Sequence, residues 1–166
     1  MRAFDLIKLQ CYALENHCRF SCRELSLEDF AWRPASGSPA IGWNLGHILL
    51  SHDYTVNYRF LDNALILSDD YQSNFGFQSA GEFPGSYDPN VMLDKFKKIN
   101  EKILASLSTK EDVWLLENAP ESEKFPPHMR GKPYAKCFVM HFSHVFTHIG
   151  QILEIRRILG KGGWGF

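Results

Sequence analysis

Residues 140–160, MHFSHVFTHIGQILEIRRILG, decide the fold class. Val145, Ile149, Ile152 and Ile155 recur three or four residues apart, the interval at which side chains share a helical face. The pattern predicts a helix from near Pro133 to Gly160, a glycine suited to the position just past a helix end, after Arg156 and Arg157 in the last turn. The segment is apolar on more than one side, which predicts an interior position. It nevertheless carries His141, His144 and His148, followed by Gly150 and Gln151. Three readings are open: a metal site, a catalytic cluster, or the polar lining of an ordinary helix.

Upstream, three further helices are expected. The first runs from about Ala3 to Arg23, with Leu6, Leu9, Ala13 and Phe20 at helical intervals. A break follows at Pro34 and Gly37, with room for one short turn between Ser26 and Asp29. The second opens at Ser38-Pro39 and continues through AIGWNLGHILLSHDYTVNYRFL; the third opens at Asp88-Pro89. In both, a capping side chain precedes a proline at the first helical position. The connections at about 63–87 and 108–132 are long, and a short helix capped by Thr109 or Asp112 fits inside the latter. Loops of this length usually cover a site. No strand pattern competes. The expectation is an all-α single domain over residues 1–166, most simply a four-helix bundle with long loops between helices 2–3 and 3–4.

Composition narrows the function classes. Lys plus Arg is 18 against 19 for Asp plus Glu, which lacks the basic footprint of a nucleic-acid binder. No apolar run is long enough to cross a membrane and no leader pattern opens the chain. Cys11, Cys18, Cys22 and Cys137 match neither a disulfide framework nor a zinc ribbon. Three of them share a helical face, so they read as buried thiols in a reducing, cytoplasmic setting.

Residues four apart on a helix have Cβ atoms roughly 5–6 Å apart, so His144 and His148 can address one ion, as can His141 and His144. His141 and His148 are separated by about 10.5 Å of rise and cannot easily do so. A catalytic zinc-type centre takes three protein ligands and an open position. His47 and His52 lie on the second predicted helix about 140° apart, so at most one faces a shared site. His47 sits on a stripe with Trp43, Ser51 and Tyr54 that reads as a pocket wall, and His52 is expected to look outward. Asp53 and Glu154, the nearest acids in sequence, read as surface charges. Gly150 suggests close approach of a backbone or ligand.

WRPASGSPAIGWNLGHILLSHDY, followed about a hundred residues later by HFSHVFTHIGQILEIRRILG, resembles the DinB-like (DinB/YfiT) superfamily of metal-binding four-helix bundles. The resemblance spans essentially the whole chain. It implies His47, His144 and His148 as the ligands of a divalent ion, zinc or nickel, and places Gln151 near them as a group that orients a ligand. His141 has no ligand role in that pattern and is left to line the pocket with Trp43, Ser51 and Tyr54. Relatives of this kind include S-transferases and isomerases that use low-molecular-weight thiols, and hydrolase-like metalloenzymes. Homodimers are common among such bundles. The resemblance therefore implies a small metalloenzyme acting on a small-molecule substrate with a thiol cosubstrate. The alternatives are a non-catalytic, stress-related module that binds metal or ligand, and a metal-free core.

Overall fold

The computed structural model describes residues 2–35 and 37–162. It is all-helical among those residues: α1 (Ala3–Cys22), α2 (Leu27–Ala31), α3 (Ile41–Ser51), a π-helical continuation of α3 (His52–Phe60), α4 (Asp69–Phe75), α5 (Pro89–Ser108), a 3-10 turn (Asp112–Leu116) and α6 (Tyr134–Ile158). α1 lies against α5 and α6, while α3 lies against α2, α4, α5 and α6.

The start signals are local, and most hold. Asp88 accepts a hydrogen bond from the Asn90 N–H at 2.8 Å, with Pro89 opening α5. Ser26 and Asp29 form a reciprocal capping box at α2. The start of α3 differs from the Ser38-Pro39 expectation. The Ser38 carbonyl accepts from Arg33 Nε at 2.6 Å and the Ala40 N–H donates to the Gly81 carbonyl at 2.8 Å, so the chain stays extended until Ile41. Asp112 does not cap its own short helix. Its carboxylate accepts from the backbone N–H groups of Ala3 and Phe4, closing the exposed donors of α1 from across the fold.

The core face of α1 also differs from the expected stripe. Phe4, Ile7, Cys11, Leu14, Cys18 and Cys22 are buried, whereas Leu6 and Leu9 are more than half exposed. The helix carries apolar residues on two faces, and packing against α5 and α6 selects the one with the cysteines. All four thiols are free and buried; burial pushes Cys11 and Cys22 up to about 12, which makes them unreactive core residues.

Burial on α3 bears directly on the site. Every residue from Ile41 to Leu50 is buried, so this helix has no outward face. Gly42 and Gly46, one turn apart, leave room for the rings of Phe83 and Phe75; a methyl group at either position would overlap those rings. At the far end of α6, the buried Arg156 guanidinium donates to the carbonyls of Ser21 and Arg23 at 3.1 and 2.6 Å. It thereby satisfies acceptors left open where α1 ends and ties the two helices together.

Candidate metal centre

α3 supplies His47, and α6 supplies His144 and His148 one turn apart. The ligand-capable nitrogens of the three rings lie within 4.8 Å of one another, an arrangement that could hold a metal ion. His47 Nε2 stands 3.1 Å from His144 Nε2, and Ser51 Oγ is 3.4 Å from the same His47 nitrogen.

Hydrogen bonds on the far side of two rings decide which nitrogens face inward. His47 Nδ1 donates to the Phe75 carbonyl at 2.7 Å. Asn44 commits its amide N–H to the Ala40 carbonyl at 3.0 Å, so its Oδ1 must accept, and His148 Nδ1 donates to it at 2.8 Å. Both imidazoles are therefore held with a bare Nε2 lone pair turned toward the shared centre. Partners of this kind fix tautomer and ring orientation in histidine metal sites. Burial lowers the pKa of all three rings, that of His148 to about 4, with the neighbouring histidines adding to the effect at His144 and His148. They are neutral at pH 7, the state a metal requires, and protons compete little for them. A proton on His144 Nε2 could satisfy one lone pair; a divalent cation satisfies all three. The donor set thus fits a divalent ion.

Around the centre, the Trp43 indole stacks on His47 with ring centroids 4.8 Å apart. Its Nε1–H donates to Ser79 Oγ at 2.7 Å, which pins the ring. Two cavities of about 300 and 290 Å³ meet at His47 and the Phe77 ring, which is 88 % exposed. Ser51 and Tyr54 line the first; Trp43, His148 and Gln151 line the second. Gln151 is exposed and lines the second cavity beside His148, but the residue that sets His148's tautomer is Asn44.

Several expectations are corrected. His52 does not look outward: it is fully buried, packed against His141, Asn100 and the Phe96 ring. His141 faces it rather than the opening and is 2 % exposed, with the nitrogens His141 Nε2 and His52 Nδ1 2.9 Å apart. Asn100 donates its amide N–H groups to the Cys11 carbonyl and Glu15, so its Oδ1 accepts from His52 Nε2 at 2.9 Å. His52 Nδ1 is then the acceptor and His141 Nε2 the donor. Asp53 is not a surface charge; it is buried and accepts from Asn57 Nδ2 and the N–H groups of Ile66 and Leu67, shaping the turn after the π segment. Glu154 is at the surface, paired with Arg157. Among the described residues nothing would meet a side chain at Gly150 within 4 Å, so no close approach there explains it.

Asn44, the Phe75 carbonyl and Phe77 carry parts of the site that sequence reasoning passed over. Asn44 left one signal, as a lone amide among apolar neighbours on the helix that carries His47.

The fold and the site together define an all-helical protein with a three-imidazole centre able to hold a metal ion. The family model of the DinB superfamily matches residues 18–152, and the chain belongs to that superfamily. No curated protein matches the chain. Among the described residues, no helix is long and apolar enough to cross a membrane.

Proposed function

We propose that this chain is a four-helix-bundle metalloenzyme that binds zinc or nickel through His47, His144 and His148 and joins a low-molecular-weight thiol to a small electrophilic substrate. The observation that carries this reading is the pair of locked imidazoles, His47 on Phe75 and His148 on Asn44, turned with His144 onto one point beside two cavities. All three ligands are neutral imidazoles, so they leave a bound cation its full double charge. A divalent ion there supplies Lewis acidity that lowers the pKa of a thiol or a water. Trp43 and Phe77 wall the entrance with aromatic surface, and Ser51 Oγ offers a hydrogen-bonding group beside His47. In the transfer, the thiol yields its proton, its sulfur bonds to the acceptor's electrophilic carbon, and the leaving group departs with the bonding pair. The same centre would serve hydrolysis with water as nucleophile. The four buried, unreactive thiols favour a reducing cytoplasm as its setting.

Elemental analysis of untagged protein tests the centre: stoichiometric divalent metal is expected in the wild type and its loss in His144→Ala. Equal metal in both would overturn the ligand assignment. A matrix of thiols against electrophilic acceptors tests the activity. Rates above background that vanish in His144→Ala support transfer, whereas equal background rates in metal-replete wild type and variant favour a binding module instead.

A further inference from the structure

The nine residues after Ser51 form a π-helix, an arrangement that is rare beyond a single turn and frequent at functional sites. Its effect is on the far wall of the first cavity. At the α-helical period, the twelve residues from His47 to Arg59 would place the two about 120° apart around the axis. The wider turn of the π segment draws Arg59 back toward the face of His47. Ser51, Thr55 and Arg59, four apart, line one cavity with His47 and Phe77.

Arg59 is fixed there in an unusual state. Its Nε donates to the Lys124 carbonyl at 2.6 Å and its guanidinium lies 4.4 Å over the Tyr54 ring, so its position is set from two sides. Half-burial lowers its pKa, and no acidic side chain among the described residues pairs with it. The Nη1 and Nη2 groups make no hydrogen bond to any described residue. A held, partly desolvated guanidinium with its outer edge unspent is a recognition element for a planar oxyanion. Elsewhere in the fold, cations near the core are used up: Arg156 on backbone carbonyls and Arg19 on Glu15 and the Leu93 carbonyl.

We propose that Arg59 is the specificity residue of this site and binds an oxyanion, a carboxylate or phosphate-type group, at the end of the thiol or acceptor remote from the metal. This rests on the thiol-transfer reading above. The axial separation of the two Cα positions is at most about 18 Å, and the long side chain leans back toward the helix N-terminus. The ligand therefore spans less than that distance, with its sulfur at the histidines and its anion at Arg59.

The test uses full-length protein loaded with cobalt(II), whose thiolate charge-transfer band reports ligation directly. The probes are ω-mercaptoalkanoates of increasing length, the matching phosphonates, and neutral ω-mercaptoalcohols. In the wild type, one anionic series is expected to bind about 10- to 100-fold tighter than the alcohols at an optimal length, the range of a charge-assisted hydrogen-bond pair. In Arg59→Gln the preference should fall to about twofold or less, while neutral thiols keep their affinity and cobalt its stoichiometry. Whichever anionic series shows the length optimum identifies the oxyanion. Ligation of neutral thiols with no anionic preference in the wild type, or the same preference in the variant, overturns the role of Arg59 and leaves the thiol reading intact. Failure of every thiol to ligate overturns the thiol reading instead. Calorimetry with the S-methyl ethers of the same acids then still judges Arg59: tighter binding to wild type supports it, and equal heats in both proteins overturn it.

Discussion

Buried His52 should make the protein lose stability in mild acid, by an amount that can be worked out. The ring is fully buried, and burial lowers its pKa from 6.5 to about 4, against a partly compensating hydrogen bond to Asn100. The folded state thus favours the neutral ring. The contribution is fully present above pH 6.5, the unfolded value, and is lost as pH falls toward the folded value of about 4. The gap corresponds to about 3 kcal/mol in total, of which about 2 kcal/mol is lost between pH 7 and pH 5. The perturbation is His52→Gln, whose amide can still accept from His141 and donate to Asn100 but does not titrate. Urea unfolding of metal-free wild type and variant, with chelator in both, should give free energies that converge as pH drops. The wild type should lose about 2 kcal/mol more than the variant over those two pH units. His141, also buried and with its pKa held well below 6.5, leaves a residual slope in both. Parallel stability–pH curves for the two proteins would refute the reasoning, because His52 would then titrate alike in the folded and unfolded states.

Two further outcomes test the surroundings of the candidate metal centre. Asn44→Ala removes the acceptor that holds His148, so zinc affinity, read by competition with a chromophoric chelator, should fall about 10- to 100-fold with little change in helicity. Gly46→Ala drives a methyl group into the Phe75 ring. Overpacking should cost about 1–3 kcal/mol in denaturant unfolding, offset by at most about 1 kcal/mol of helix propensity. Weaker zinc binding should accompany it, since the Phe75 carbonyl that holds His47 shifts with the ring.

How much of this was legible in the chain varies with how local the cause is. Asp88-Pro89 opens α5 as read, because a cap and a proline act within a few residues. His144 and His148 meet because helical rise alone brings residues four apart together. By contrast, Leu6 and Leu9 read as core and lie exposed, because α1 offers two apolar faces and only its neighbours select one. His52 and Asp53 read as surface residues and are buried for a related reason. Polarity predicts exposure only on a helix that has an exposed side, and α3 with its continuation has almost none.

The sequence by itself determined the all-helical class, the periodicity of α6 and the histidine pair it carries, since these follow from spacing along one helix. The resemblance already pointed to His47 as the third ligand, but tertiary structure decided how the rest of the centre is held. It set His47 of α3 beside the pair on α6, turned Asn44 and the Phe75 carbonyl onto the outer nitrogens of two rings, and wound residues 52–60 into the π segment that carries Arg59 to the cavity wall. Those choices depend on which buried hydrogen bonds and which packed rings can be satisfied together, and no single helix holds that information.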